Sequence, residues 1–198
     1  MSYAFAEVVA PKGAPLFFLF HGTGGDENDL RDLGGQLLPG AHLVSPRGDV
    51  SEHGALRFFR RTGEGLYDMA DLERGTTKMA GFMRERIAAI EPSSVTALGF
   101  SNGANILASV LFLAPELIDR AVLMHPLIPF QPAAQPGLKC RKVQITAGRA
   151  DPIAPAALTE TLFNYFLAQG AEARLDWQEG GHQIRQPELL AVRDFLAA

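Results

Sequence analysis

Short apolar segments alternate along the chain with longer segments in which apolar residues recur every three or four positions. The short segments are typical of buried β-strands. Several of them, such as Leu16–Phe20 (LFFLF), are apolar at successive positions, as expected when both faces of a parallel strand are covered. We predict strands over Tyr3–Val9, Leu16–Phe20, His42–Ser45, Val95–Phe100, Ala121–Met124, Val143–Ala147 and Ala173–Trp177.

The longer segments predict helices. One is expected where a single apolar stripe is followed by a Glu-Pro pair: Met79, Phe82, Met83, Ile87 and Ile90, then Glu91-Pro92. Others are predicted over Asn105–Leu113, Pro155–Gln169 and Pro187–Leu196. Alternating strands and helices predict an α/β protein with a doubly wound, mostly parallel sheet. Because ligands bind beyond the carboxyl ends of such strands, the residues that follow each strand are the candidates for chemistry.

The composition is that of a folded domain. The chain has 198 residues, 47% of them apolar, and 18 Lys+Arg against 22 Asp+Glu give a formal net charge of −4. This length predicts a single domain over residues 1–198, and the apolar content excludes a disordered chain. The mild negative charge argues against nucleic acid as a partner. The single cysteine, Cys140, excludes an internal disulfide framework and a four-cysteine zinc module.

No segment predicts a membrane span, because the longest apolar run, Leu16–Phe20, is far shorter than the roughly 20 residues that cross a bilayer. The first residues, MSYAFAEVVAPKGAP, lack the basic region and the apolar region of a secretory signal. We therefore expect a cytoplasmic protein.

The strongest signal for chemistry follows the strand Val95–Phe100. Residues 99–103 (GFSNG) form a G-x-S-x-G sequence between a predicted strand and a predicted helix. This context is typical of a tight turn that lifts a nucleophilic serine, here Ser101, above the sheet. The alternative is an ordinary glycine-rich turn between a strand and a helix.

Ser101 needs a base and an acid that orients the base. On this fold the order along the chain is serine, acid, histidine, which leaves His182 as the base. Asp119 precedes its strand and Asp176 lies within one, whereas Asp151 follows the strand Val143–Ala147 at the carboxyl edge. Asp151 is therefore the predicted acid, and its alternative role is a cap of the next helix.

An oxyanion hole is predicted where Leu16–Phe20 runs into the glycine-rich residues 21–27 (HGTGGDE). We assign its donors as the backbone N–H groups of Thr23 and Asn102, the residue after the nucleophile. A phosphate-binding loop is the competing interpretation of the same glycines. It is disfavoured because neither G-x-G-x-x-G nor a G-K-[ST] ending is present.

With these residues in place, the sequence resembles the serine α/β hydrolases of the phospholipase/carboxylesterase family. The matching segments are HGTGGDENDL (21–30), GFSNGAN (99–105), AGRADPI (147–153) and GGHQI (180–184). Two more, RFFRRTGEGLYD (57–68) and HPLIPF (125–130), are similar to a small bacterial carboxylesterase branch associated with hydroquinone resistance. The resemblance implies an α/β-hydrolase fold, a central sheet of about seven strands and helices on both faces. Since the core fold uses nearly the whole chain, no large cap domain is expected.

The predicted activity is that of a serine carboxylesterase, in which Ser101 forms an acyl-enzyme with a small or medium ester and no cofactor is needed. The same-class alternative is a lysophospholipase or acyl-protein thioesterase. Asn102 and His125-Pro126 depart from the thioesterase pattern and argue against depalmitoylation. A non-catalytic small-molecule receptor on the same scaffold is the alternative from another class. A homodimer is left open.

The pocket walls are predicted in residues 47–67 and 125–135. Phe58, Phe59, Leu127 and Ile153 are assigned to substrate binding. Arg57, Arg60 and Arg61 either form a solvated surface or fix this loop beside the pocket.

The remaining candidates have ordinary interpretations. His21 should hold the oxyanion loop, and His125 is either a hydrogen-bonded loop residue or part of the pocket rim. Cys140 is expected to be an ordinary thiol. No metal site is predicted, because no pair of histidines has metal-ligand spacing together with a carboxylate.

Overall fold

The computed structural model of the protein describes residues 3–63 and 65–198. Its strands are β1 (Phe5–Val8), β2 (Leu16–Phe20), β3 (His42–Pro46), β4 (Val50–Glu52), β5 (Ala55–Arg57), β6 (Arg61–Gly63), β7 (Leu66–Tyr67), β8 (Val95–Phe100), β9 (Arg120–Met124), β10 (Lys142–Gly148) and β11 (Glu172–Gln178). Its helices are α1 (Arg31–Leu37), α2 (Met69–Ile90), α3 (Asn102–Leu113), α4 (Ala156–Ala168) and α5 (Gln186–Ala197), with short 3₁₀ turns at Pro115–Leu117 and Pro136–Leu138.

Seven strands form one sheet in the order β1-β3-β2-β8-β9-β10-β11. β1 pairs antiparallel with β3, and all the other neighbours are parallel. The mostly parallel α/β sheet predicted from the sequence is therefore confirmed. The parallel strands carry their carboxyl ends to the same edge, where the chain enters the loops that hold the candidate residues.

The continuous apolar pattern of β2 reflects a hydrophobic core on each face of the sheet. Leu16, Phe18 and Phe20 belong to the core formed with α2, α3 and α4. Phe17 and Leu19 point the other way, into the core formed with α1 and α5. All five side chains are fully buried, so the strand has no polar face and shows no alternation.

The central helix α2 is longer than predicted, because it begins at Met69 rather than near Met79. Its start is fixed by Asp68, whose side chain accepts a hydrogen bond from the N–H of Asp71 at 3.0 Å. The other three predicted helices and all seven predicted strands are confirmed, with ends shifted by a few residues.

Two features of the fold were not predicted. The helix α1 was missed. The segment between Pro46 and Asp68, predicted as a loop, contains two small hairpins, β4–β5 and β6–β7. These strands have only two or three residues each, too few to produce a hydrophobic period. Among the described residues, none of the helices combines the length and the apolar character needed to cross a membrane.

Candidate active site

Ser101 lies at the sharp turn between β8 and α3. Its φ of 54° is in the left-handed region, which is uncommon for a residue with a side chain. Its N–H donates to the carbonyl of Met124 at 2.9 Å. A Cβ on Gly99 would lie 2.4 Å from the carbonyl oxygen of Gly103, and one on Gly103 would lie 2.1 Å from that of Phe20. Glycine is therefore required at position 103 for the turn to pack against β2, and at position 99 for the strand to pack against the start of α3.

Three of the predicted residues lie in one hydrogen-bonded chain. His182 Nε2 is 2.8 Å from Ser101 Oγ, and His182 Nδ1 is 2.7 Å from Asp151 Oδ2. With the ring proton on Nδ1, the imidazole donates to the carboxylate and presents a lone pair to the serine hydroxyl. This is the arrangement in which a histidine can accept a proton from a serine.

Asp151 is held from several sides. Its Oδ1 accepts hydrogen bonds from the N–H groups of Ile153 (2.8 Å) and Ala154 (3.0 Å). Burial alone would raise the pKa of this carboxyl, but the hydrogen bonds from Ala154, His125, His182 and Ile153 outweigh it and lower the pKa. Asp151 is thus kept ionised next to His182. The rejected acids lie elsewhere: Asp119 binds the amino end of β8, and Asp176 pairs with Arg174.

A second histidine shares the same carboxylate, which the sequence alone did not indicate. His125 is fully buried, and its Nδ1 lies 2.9 Å from Asp151 Oδ2, the oxygen that also binds His182. On its other side, Nε2 lies 3.2 Å from Glu188 Oε1. The hydrogen-bonded chain therefore continues from Ser101 through His182, Asp151 and His125 to Glu188.

The protonation of His125 follows from its two carboxylate neighbours. Burial alone would lower the pKa of this imidazole, but hydrogen bonds with Glu188 and Asp151 raise it above its usual value. Gln178 Nε2 has two hydrogens, which Gln183 O (2.9 Å) and Glu188 Oε2 (3.0 Å) can accept. The Nε2 of His125 is then free to donate to Glu188. A protonated His125 offsets two buried negative charges, which would otherwise be costly.

The side chains of His125, Asp151 and His182 also meet the geometric requirement of a metal site, because their ligand atoms lie within 4.8 Å of one another. The two Nδ1–Oδ2 distances, 2.7 and 2.9 Å, are those of direct hydrogen bonds. We therefore assign these side chains to the hydrogen-bonded chain.

The two residues with the predicted oxyanion donors lie beside the turn that carries Ser101. Thr23 and Asn102 both line the cavity beside Ser101, and neither backbone N–H donates to another of the described residues. His21 holds the loop: its Nε2 accepts from the N–H of Gly48 at 2.9 Å, and its Nδ1 lies 2.7 Å from the carbonyl of Gly22. Burial lowers the pKa of His21, which keeps the ring neutral for this role.

The cavity at Ser101 has a volume of about 380 Å³. Its two walls are joined through Tyr67, whose hydroxyl donates to the carbonyl of Leu127 at 2.6 Å and accepts from Asn105 Nδ2 at 2.8 Å. Asn105 Oδ1 accepts from the N–H of Leu127 at 2.7 Å. Burial raises the pKa of Tyr67 far above its usual value, so the hydroxyl keeps its proton and remains a donor. Leu127 and Ile153, assigned from the sequence to substrate binding, line the cavity.

The assignment of Phe58 and Phe59 to substrate binding is wrong. Both side chains are fully buried, and neither lines the cavity. Phe58 packs against Phe20 and His21, and Phe59 packs against Tyr67. Two large aromatic rings gain more from burial in the core than from exposure at an open pocket. The cavity is lined instead by their charged neighbours Arg57 and Arg61, together with Tyr67 and Asn105.

Known proteins resemble this chain over nearly its whole length. No family model matches it. It is 40% identical over 182 residues to the "Putative hydrolase MhqD" of Bacillus subtilis (strain 168), with 91% of each chain covered. A solved structure of a protein of unknown function from Agrobacterium tumefaciens has 56% identity and a TM-score of 0.93, covering 98% of this chain and 96% of that one. A carboxylesterase from Bacillus cereus has 34% identity and a TM-score of 0.91, covering 98% and 93%.

Proposed function

The chain belongs to the family of bacterial carboxylesterase-type hydrolases with the α/β-hydrolase fold, and from this premise we propose that it is a serine carboxylesterase acting on small to medium esters. The observation that supports this proposal best is the hydrogen-bonded chain from Ser101 through His182 to Asp151, with links of 2.8 and 2.7 Å. The family membership gives hydrolysis of an ester bond, and the geometry suggests which groups perform it.

In the proposed first step, Ser101 Oγ attacks the ester carbonyl while His182 Nε2 accepts the hydroxyl proton. Asp151 holds the imidazole in place and stabilises the imidazolium that forms. The N–H groups of Thr23 and Asn102 donate to the carbonyl oxygen as it becomes negative. His182 then returns its proton to the departing alcohol, which leaves an acyl group on Ser101.

In the second step, water attacks the acyl-enzyme and gives its proton to His182, and the acid leaves as Ser101 regains its hydrogen. Every proton transfer uses side chains of this chain, so we propose that no cofactor is needed. The cavity volume of about 380 Å³ supports small or medium substrates, since it lies near the lower end of the roughly 300–1,000 Å³ range of ligand pockets.

A labelling experiment tests the proposal. We expect a fluorophosphonate to modify Ser101, and Ser101→Ala to lower kcat for p-nitrophenyl butyrate by at least about 10³-fold, because the acyl-enzyme can no longer form. Mass spectrometry of the labelled peptide and steady-state kinetics measure the two effects. Unchanged hydrolysis in Ser101→Ala would contradict the proposal. The absence of both labelling and hydrolysis in the wild type would favour the receptor alternative.

The chain-length preference is tested separately with acetyl, butyryl, octanoyl and palmitoyl p-nitrophenyl esters. We expect kcat/KM to be highest for the acetyl or butyryl ester, because the cavity is small. A palmitoyl optimum would instead favour the lysophospholipase or thioesterase alternative.

A further inference from the structure

The wall of the Ser101 cavity is positively charged. Arg57 and Arg61 both line it, and none of the described residues that line it carries a carboxylate. Glu52 lies behind this wall, and both arginines share it: its distance is 3.4 Å to Arg57 Nε and 2.9 Å to Arg61 Nε. Among the described residues, two guanidinium charges against one carboxylate give this side of the cavity a net positive charge.

Arg57 is the more unusual of the two, because only 4% of the residue is exposed. Its Nε donates to the carbonyl of Phe59 at 3.2 Å and its Nη1 to Thr23 Oγ1 at 2.7 Å. Burial lowers the pKa of this guanidinium, with the nearby Arg61 acting in the same direction. Among the described residues Arg57 has one counter-ion, Glu52, which it shares with Arg61. A buried charge so weakly paired is unfavourable, and an anion placed beside it would relieve that cost.

Donors close to Arg57 are also available for an anion. Asn102 lines the cavity, and its buried Nδ2 has no hydrogen-bond partner among the described residues. The orientation of this amide is fixed, because its Oδ1 accepts from the N–H of Phe58 at 2.8 Å. The contact between Arg57 and Thr23 places the guanidinium beside the residue that carries the predicted oxyanion donor.

From this arrangement we propose an anion subsite, formed by Arg57 and Arg61, that selects esters carrying a carboxylate elsewhere in the molecule. The inference rests on the proposed esterase function and adds the substrate class. A guanidinium presents parallel N–H donors that match the two oxygens of a carboxylate. The substrate is thus held at one end by the arginines while its ester carbonyl lies at Ser101, and hydrolysis releases an alcohol and an acid, one of which retains the original carboxylate.

Matched ester pairs test the subsite. Monoethyl succinate, glutarate and adipate differ from ethyl butyrate, pentanoate and hexanoate only in having a carboxylate in place of the terminal methyl group. We expect the wild type to show at least a tenfold higher kcat/KM, measured by ethanol release, for one or more of the charged esters, because a hydrogen bond to a charged group is worth about this factor. The preference should fall as NaCl is added, since the subsite is partly open to solvent.

Three substitutions test whether the preference for charged esters depends on the two arginines. Arg61→Gln and Arg57→Gln should each lower the ratio of kcat/KM for charged over neutral esters by about tenfold. Glu52→Gln should raise the ratio, because it removes the competing carboxylate. Arg60→Gln is the matched control: Arg60 is the exposed neighbour of Arg61, pairs with Asp68 and Asp71, and does not line the cavity, so its ratio should equal that of the wild type.

Failure of the subsite and failure of the esterase function give different results. If hydrolysis of neutral esters depends on Ser101 but no charged ester is preferred, or if Arg61→Gln leaves the ratio unchanged, the subsite is overturned and the esterase function stands. Titration calorimetry of Ser101→Ala with the charged ester of highest kcat/KM and its neutral match tests binding without turnover. Tighter binding of the charged ester supports the subsite, and equal or weaker binding overturns it. Where Arg57→Gln does not fold, Arg57→Lys keeps the charge but lacks the parallel N–H donors, so its ratio should lie between those of the wild type and Arg61→Gln.

Discussion

At the residue scale, the most unusual contact is that of Asp151 with two imidazole rings. One carboxylate oxygen lies 2.7 Å from His182 Nδ1 and 2.9 Å from His125 Nδ1. His182 reaches Ser101, whereas His125, which also lines the cavity, pairs on its other side with the buried Glu188. We interpret His125 as a positioning residue, because it orients Asp151 and offsets its charge without touching the nucleophile.

This interpretation predicts how stability depends on pH. The pKa of His125 is raised in the folded protein, so the imidazolium should stabilise the fold fully below the unfolded pKa of about 6.5, and this stabilisation should be lost as the pH rises through the folded pKa. We expect His125→Gln to lower the free energy of unfolding most below about pH 6.5, with the difference from wild type shrinking at alkaline pH. Urea unfolding of both proteins between about pH 5 and pH 9 measures this difference in the free energy of unfolding.

The groups that face His125 are Asp151, Glu188, Gln178 and the ring of His182, whose centroid is 5.2 Å away. Glu188→Gln removes one of the two charges, so in that background the pH dependence due to His125 should weaken. A difference between wild type and His125→Gln that stays constant with pH would contradict a protonated His125.

At the element scale, the turn from β8 to α3 depends on how closely the helix approaches the next strand. A Cβ on Gly99 or Gly103 would meet backbone atoms rather than flexible side chains. For Gly103 these atoms belong to Phe20 and cannot move aside without shifting β2, which is buried on both faces, whereas for Gly99 they belong to the first turn of α3. The position of Ser101 is therefore fixed by main-chain packing of the start of α3 against β2 and β8.

We expect Gly103→Ala to destabilise the protein by about 1–3 kcal/mol or more, because the added methyl overlaps the carbonyl of Phe20, and to lower esterase kcat. The matched control is Gly81→Ala in α2, where a Cβ meets nothing within 4 Å. That variant should gain about 0.5–1 kcal/mol from better helix propensity. Urea unfolding and p-nitrophenyl butyrate kinetics separate the two effects. Equal stability changes in both variants would show that the close approach is unimportant.

The two cavity walls provide a second prediction at this scale. Tyr67→Phe removes the hydroxyl that joins Leu127 to Asn105, and we expect it to cost about 1–2 kcal/mol of stability and to raise KM. Tyr165→Phe is the control, because its hydroxyl makes a similar bond, 2.7 Å to the carbonyl of Ala133, away from the cavity. It should lower stability to a similar extent and leave KM unchanged. An unchanged KM in Tyr67→Phe would contradict the role of this residue in shaping the cavity.

The elements that could be predicted from the sequence are those whose burial leaves a simple pattern. β2 is apolar at every position because both of its faces are covered. The helix α1 left no such pattern: it has seven residues and includes Gly34 and Gly35, which have low helix propensity. A Cβ at Gly34 would lie 2.5 Å from Leu19 Cδ1, so a larger residue there would force this buried leucine side chain to shift. A packing requirement between distant segments therefore overrides local propensity.

The site was predictable to the extent that each residue follows a strand. Ser101, Asp151 and Thr23 were selected in this way, and the structure places all three at one edge of the sheet. The role of Glu188 could not be predicted, because it depends on a contact with His125 across 63 positions of sequence. Phe58 and Phe59 were misassigned for a related reason, since sequence position does not tell which neighbours in a loop turn inward.

At the scale of the whole molecule, the edge of the sheet at the carboxyl ends of the strands and the edge at their amino ends carry different residues. The candidate site lies entirely at the carboxyl edge, whereas Cys140 lies two residues before the amino end of β10 and is exposed. The single cysteine is therefore a probe of the edge opposite the site.

We expect one thiol per chain to react with 5,5′-dithiobis(2-nitrobenzoate) without denaturant, and the modified protein to keep its esterase rate, because the adduct is separated from Ser101 by the length of the strands. Thiol titration followed by kinetics measures both outcomes, with Cys140→Ser as the unreactive control. Loss of activity in the modified wild type, but not in the treated Cys140→Ser protein, would contradict this separation.

The hairpins β4–β5 and β6–β7 contribute Arg57, Arg61 and Tyr67 to the cavity but no strand to the main sheet. The groups assigned to bond cleavage, by contrast, sit on the main sheet's own strand ends. In the proposed mechanism, substrate choice and bond cleavage rest on different segments of the chain, and these segments meet where Arg57 donates to Thr23 Oγ1. Exchange of residues 47–67 between relatives is then a route by which new substrate preferences can evolve, as long as the exchanged segment keeps the contacts of Gly48 with His21 and of Arg57 with Thr23.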